Sequence, residues 1–329
     1  NPGVVIEMER NPDFFLKGLP YLDGVSILVV GEESTYIAAM RARRLDSGLN
    51  RFADSIADLL RMKDLPLQIC PAASKIVAQM NTQLPGWNDV NVRRAVSMAI
   101  DRETLNRVAY QGLGTGTYSV STDVFGKEWS MALEDYPPEI RRYLTYDPKA
   151  AKEALAKSAY PTGFTSKIIY WPQQAGSRQV SEAITSMVDD IGVVLKMEEV
   201  TREVYSGIYG EFPYDKPTGR HTGMIVGIIA WATVDQIHEY HHSTNNRNRS
   251  AIRDPKLDAM LDEQRRTIDV AKRQKLVKDI QSYIVDQMYV LPLPTGPFAE
   301  VHQPYVKGIY YRTYGWYDGE PMRDVWLDK

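Results

Sequence analysis

The chain has 329 residues, with 39 basic against 42 acidic side chains and a net charge of −3. At roughly 150 residues per domain this length suggests about two domains, and 43% hydrophobic with 25% charged residues excludes a disordered or collagen-like chain. Mixed charge gives no broad case for nucleic acid, no run reaches the ~18 apolar residues of a membrane span, and the lone Cys70 excludes an intramolecular disulfide or a multi-cysteine metal site.

The first stretch reads as β. Val4 to Met8 alternates weakly, Arg10-Asn11-Pro12-Asp13 makes a turn, and Gly24 to Val30 is a β-branched run bounded by glycines. Glu33 to Arg44 follows with helical spacing, Ser34 standing where a cap is expected. Residues 54–63 predict a short helix, since Ile56, Leu59 and Leu60 are three or four apart. Residues 65–82 read as two strands joined by a turn at Pro71. Strand, helix and strand in succession indicate an α/β layer.

From Val92 to Ile100 the apolar residues keep i, i+3, i+4 spacing, which predicts an amphipathic helix. Asp101 caps a second helix, with Glu103 in its first turn and a stop at Gly112. Residues 113–145 are rich in loop formers. Asp147-Pro148 starts a helix, as a cap followed by proline at the first turn. Phe164 to Trp171 reads as a strand, Ser177 to Ile191 as a helix stopped by Gly192, and Val193 to Glu199 as a strand, together a β-α-β unit with parallel strands. Thr222 to Trp231 is almost continuously apolar, as a strand buried on both faces must be. Asp254-Pro255 opens another helix, and Val270 to Met288 a further one that buries Leu276, Ile280, Tyr283 and Ile284. An extended exit begins at Val290-Leu291-Pro292-Leu293-Pro294, and residues 305–329 are aromatic-rich and extended.

Catalytic motifs are missing from this sequence. Gly112-Leu113-Gly114-Thr115-Gly116 follows a helix instead of joining strand to helix, so it fails as a phosphate loop. The neighbours Glu198 and Glu199 point to opposite faces of a strand, and Asp189-Asp190 read as solvated charges. Arg93-Arg94 suit salt bridges. One constellation stands out, His238-Glu239-Tyr240-His241-His242. On a helix, His238 faces His241 and His242 at i+3 and i+4, a metal-ligand spacing; as a loop the segment is a polar rim. Beyond it lies a basic run, Asn245-Asn246-Arg247-Asn248-Arg249.

The order of motifs resembles the family 5 extracellular solute-binding proteins, the oligopeptide, dipeptide and nickel binding proteins of ABC importers. Glu9-Arg10-Asn11-Pro12-Asp13-Phe14-Phe15 with Gly18-Leu19-Pro20-Tyr21-Leu22-Asp23-Gly24-Val25 is similar to the family's "RNPdYw…GxPyLDgv" segment. Val92 through Ala99-Ile100-Asp101-Arg102 is similar to "vRqAlsyAIDR", and Tyr146-Asp147-Pro148 through Tyr160-Pro161-Thr162-Gly163-Phe164 to "yDpekAkelLaeaGYpdGf". Asp254-Pro255-Lys256-Leu257-Asp258, Arg273 and Val290-Leu291-Pro292-Leu293 match the closing helices and exit strand.

The resemblance implies an α/β periplasmic-binding-protein-like fold of the type II, two-lobe kind. Residues 1–90 and 291–329 would be parts of lobe one, and residues 91–290 the whole of lobe two, with the ligand in a cleft between lobes. Family members are longer, so the expectation is a segment of a longer exported chain, periplasmic or extracellular, with a lipoprotein anchor in the part not present. It implies a non-enzymatic, monomeric protein without cofactor, whose partners are a solute and the permease subunits of an importer. Peptide binders of the family hold the ligand's amine with the aspartate of a "W-x-x-D" turn. Here Val234 stands at that position and Asp235 follows one residue late. Trp231, Asp235, His238, Arg247 and Tyr205 are the expected ligand-binding residues. Two alternatives stay open: the solute-sensing domain of a transcriptional regulator, and a metal or metal-chelate binder using His238, His241 and His242.

Overall fold

A computed structural model describes residues 4–30, 32–50, 53–70, 74–114, 125–172, 176–209, 222–230, 233–309 and 322–329. In chain order the elements are β1 (Val5–Glu9), β2 (Gly24–Leu28), α1 (Glu33–Arg41), β3 (Ser47–Asn50), α2 (Ala53–Leu60), β4 (Leu67–Cys70), β5 (Ser74–Met80), α3 (Val90–Ala99), α4 (Arg102–Tyr110), α5 (Pro138–Arg141), α6 (Pro148–Ala156), β6 (Phe164–Tyr170), α7 (Ser177–Asp189), β7 (Val193–Glu199), α8 (Arg202–Tyr209), β8 (Met224–Ala230), α9 (Gln236–His241), α10 (Pro255–Arg266), α11 (Val270–Asp286), β9 (Val290–Pro292), β10 (Phe298–His302), β11 (Val306–Lys307) and β12 (Trp326–Leu327).

Aspartates set the starts of five helices. Asp89, Asp101, Asp147, Asp254 and Asp269 each accept a backbone N–H of the first turn of α3, α4, α6, α10 and α11. Each carboxylate satisfies a donor that the helix itself cannot, and places negative charge at the positive end of the helix dipole. Asp254 also accepts from the hydroxyls of Tyr283 and Tyr289, both at 2.8 Å, and so ties the start of α10 to α11. At α1 the expected Ser34 cap does not form. Glu32 occupies the cap position and makes no side-chain cap bond. On α11 Val277 takes the buried place expected for Leu276, which is half-buried; Ile280 and Ile284 are buried as expected.

The chain divides into two compact units, Asn1–Pro71 with Pro297–Lys329, and Ala72–Gly296. The crossings were expected near residues 90 and 290. They fall earlier and later because β5 and β9 both pair within the large sheet of the second unit. For the same reason the two strands between residues 65 and 82 are not a hairpin. β4 pairs with β10 in the first unit, and β5 with β8 and β9 in the second.

In the first unit β1 and β2 form an antiparallel ribbon, and β3-β10-β4 an antiparallel sheet. Ile37 and Met40 of α1, Leu59 of α2 and Val301 of β10 make its core. The strand β3 was not predicted. Ser-Gly-Leu-Asn carries little β propensity, and its pairing with β10 makes it a strand.

In the second unit the sheet order is β7-β6-β8-β5-β9. β6 runs parallel to β7 and to β8, whereas β5 is antiparallel to β8 and β9. The expected β-α-β unit is therefore present as β6-α7-β7. Met224, Ile225, Val226 and Ile229 of β8 are buried, as its apolar run requires of a central strand. Buried Arg102 locks α3 into this unit. Its guanidinium donates to the carbonyls of Pro292 at 3.0 Å, Ser97 at 3.2 Å and Leu144 at 3.0 Å.

Candidate solute site at the strand ends of the second unit

Open α/β sheets bind ligands beyond the carboxyl ends of their parallel strands, where loops rather than side-chain cores form the surface. In the second unit β6 ends at Tyr170 and β7 at Glu199, directly opposite each other in register. Beyond them lies a cavity of about 480 Å³, lined by Trp171, Pro172 and residues 199–203. Its aromatic wall is Trp171, and the guanidinium of Arg202, from the first turn of α8, lies 4.6 Å from the Trp171 ring. Such a pair presents a flat face and a cation together. Glu199 is already compensated. It forms an ion pair with Arg178 and accepts the Tyr170 hydroxyl at 3.1 Å. Burial and that bond to Glu199 raise the Tyr170 pKa, so the phenol stays protonated. Glu203 is held below the usual carboxylate range by hydrogen bonds from its own amide and from Thr201.

The residues expected at the ligand are distributed differently. Trp231 lies outside the described residues. Tyr205 is a core residue, 2% exposed, with its hydroxyl donating to the Val226 carbonyl at 3.2 Å. Its ring stands 6.0 Å from that of Trp171, so it backs the aromatic wall instead of facing solute. Asp235 is engaged by Arg265 at 3.1 Å, Gln264 at 3.1 Å and Arg273 at 3.6 Å. Arg247 pairs with Glu239 at 3.0 Å, and in the same run Asn248 and Arg249 are buried, so this segment is no open basic patch. Arg94 pairs with Asp286 at 2.6 Å, while Arg93 donates to the carbonyls of Trp87 and Gln287. Sequence reading passed over Trp171 and Arg202 as ligand-site residues, and weighed Glu199 only as one of two neighbouring charges on opposite strand faces. The one signal for them was that Tyr170-Trp171-Pro172 and Glu199-Val200-Thr201-Arg202 end two strands of a single β-α-β unit.

The histidines separate as well. His238 on α9 and His242 just after it stack with ring centroids 4.4 Å apart and planes 18° apart. Asp262 of α10 joins them, its Oδ1 lying 3.4 Å from His238 Nε2 and 3.7 Å from His242 Nε2. His241 is elsewhere. It is fully buried, with Nδ1 2.8 Å from the Ile237 carbonyl oxygen. The set spelled by the sequence as 238, 241 and 242 is thus 238, 242 and 262 in space.

The first unit has its own concavity, about 440 Å³, beside Phe14, Phe15, Leu22 and Met322. Its wall is mainly apolar, and it adjoins the antiparallel β1–β2 ribbon, not parallel strand ends.

Comparison with known proteins now bears on the site. The family model described as "Bacterial extracellular solute-binding proteins, family 5 Middle" matches residues 1–240. The chain belongs to the family 5 extracellular solute-binding proteins. Among curated family members, Heme-binding protein A of Haemophilus influenzae is 27% identical over 318 residues, covering 92% of this chain and 54% of the relative. Glutathione-binding protein GsiB of Shigella flexneri is 23% identical, covering 93% and 59%. The chain thus spans little more than half the length of these family 5 relatives. The solved oligopeptide-binding protein AppA of Bacillus subtilis, in complex with a nonapeptide, superposes with a TM-score of 0.82 at 19% identity, over 100% of this chain and 65% of that one. AgaA of Agrobacterium tumefaciens R10, in complex with agropinic acid, gives 0.83 at 20% identity, over 100% and 65%. The fold is that of the periplasmic binding proteins, as the motif order implied. Among the described residues no helix is long and apolar enough to cross a membrane.

Proposed function

We propose that this chain is part of the substrate-binding component of an ABC importer, which captures a peptide-like or other small polar solute outside the cytoplasmic membrane and delivers it to a permease. The family match over residues 1–240 carries the reading. The cavity at the ends of β6 and β7 supports it, since a stacked aromatic and guanidinium, set beside a neutralised carboxylate, suits a small polar or planar group. In this reading residues 72–296 correspond to the lobe two expected for residues 91–290, and the protein is a monomer without catalytic activity. Recognition uses Trp171 and Arg202. Asp235 is bound to Arg265, Arg273 and Gln264, so a family-type amine contact would first have to break these bonds.

Mass spectrometry of solute co-purifying with the full-length protein tests the proposal. A stoichiometric small polar solute, released on denaturation and rebound with quenching or enhancement of tryptophan fluorescence, is the expected result. A full-length protein that carries no solute and gives no thermal shift with peptides, opines or metal chelates would overturn it.

A further inference from the structure

We propose that His238, His242 and Asp262 form a site for a divalent transition metal of the zinc class, which clips α9 to α10. The inference is independent of the solute reading, because none of the three residues lines the cavity beyond β6 and β7. Three donor atoms, one from each side chain, lie within 4.8 Å of one another. The two measured nitrogen-to-oxygen separations are 3.4 Å and 3.7 Å. Around tetrahedral zinc with bonds of about 2.0–2.1 Å, donor atoms sit about 3.4 Å apart. The arrangement therefore needs a contraction of only a few tenths of an ångström along the nitrogen–oxygen edges.

The two imidazoles stack, and their Nε2 atoms lie 3.4 Å and 3.7 Å from one carboxylate oxygen. With planes 18° apart the ring lone pairs run nearly side by side, so a shared ion requires one ring to rotate. The other Asp262 oxygen lies 3.4 Å from Arg266, which orients the carboxylate and leaves Oδ1 toward the rings. His242 Nδ1 lies 2.9 Å from the Thr244 hydroxyl, an acceptor for the Nδ1 proton of a metal-bound ring. The Thr244 amide, 3.2 Å from the same nitrogen, favours the opposite tautomer, so metal binding works against one weak hydrogen bond. Asp258 Oδ1 lies 3.8 Å from His242 Nε2 and accepts the Ser243 amide at 2.9 Å. The histidine side chains are 10% and 12% exposed and that of Asp262 is 42% exposed, which gives a sheltered site with a way in from solvent. Two imidazoles and one carboxylate select Zn²⁺, Co²⁺ or Ni²⁺ over Mg²⁺ and Ca²⁺, which prefer all-oxygen shells.

The test is titration of chelator-stripped protein with ZnCl₂ by calorimetry, and with CoCl₂ by visible absorption. One Zn²⁺ per chain at micromolar affinity or tighter, with the d–d bands of four- or five-coordinate Co²⁺, is expected. His242→Gln and Asp262→Asn should each weaken Zn²⁺ binding by about tenfold or more, whereas His302→Gln, in the other unit, should leave it unchanged. Should either variant misfold by circular dichroism, the wild-type stoichiometry and Co²⁺ spectrum decide alone. Absence of those bands, substoichiometric Zn²⁺, or an unaltered affinity in folded Asp262→Asn would overturn the proposal.

Discussion

Arg202 lies with its guanidinium 4.6 Å from the ring of Trp171, and the two residues come from the ends of separate segments, after β6 and at the start of α8. If this pair forms the recognition surface, Trp171→Ala should weaken binding of the co-purified solute by about five- to fifty-fold, equivalent to roughly 1–2 kcal/mol. Trp171→Phe should recover part of it. Isothermal titration of the full-length protein measures both, and unchanged affinity in the alanine variant would remove this cavity from the site.

Arg102 gathers the carbonyls of Pro292, Ser97 and Leu144 around one guanidinium. Replacing it with methionine keeps apolar volume but leaves the buried oxygens of Pro292, Ser97 and Leu144 without this donor. A loss of about 3 kcal/mol follows from those desolvated acceptors. Urea unfolding of Arg102→Met against wild type checks it. A midpoint within error of wild type would mean that other donors take over.

His241 makes stability depend on pH. Burial holds its pKa down to about 4, while the Ile237 carbonyl acts weakly the other way. An unfolded histidine titrates near 6.5. Folding thus favours the neutral ring. The contribution is complete above pH 6.5 and is lost as pH falls toward 4, amounting to about 3 kcal/mol at most. His238, also held down by burial, acts in the same sense. Unfolding free energy should therefore fall between pH 7 and pH 4.5, and His241→Leu should flatten that fall. An equal slope in the variant would assign it to other groups.

Gly163 sits at φ +86°, where a Cβ would stand 1.8 Å from the Gly192 carbonyl oxygen. Both glycines adjoin the first residues of β6 and β7, and backbone on each side leaves nothing flexible to yield. Gly163→Ala should destabilise by about 3 kcal/mol or more, or shift the β6–β7 register. Thermal unfolding and amide exchange of β6 report the two outcomes.

Local chemistry was legible in the sequence. The caps at Asp101 and Asp147, the Asp254-Pro255 helix start, and the parallel β6-α7-β7 unit all follow from residues within a turn or two of each other, while the caps at Asp89 and Asp269 went unread. The family motifs carry the same information, and Asp101-Arg102 shows why. Asp101 caps a helix by a local bond, which sequence reveals, whereas the partners of Arg102 at Leu144 and Pro292 are distant along the chain.

What only the tertiary structure decided depends on such distant partners. β3 is a strand because β10 lies beside it, and β4 and β5 part company because their pairing partners belong to different units. Helical spacing grouped His241 with its neighbours, but the ring turned inward to the Ile237 carbonyl, and Asp262 took its place from another helix. Tyr205 was placed at the ligand and packed into the core, while Arg202 came to lie 4.6 Å from the ring of Trp171. The sequence by itself thus determined many of the elements, the caps of α4 and α6, and the family. Which side chains face one another was left to packing, since burial and convergence arise between segments that no local pattern relates.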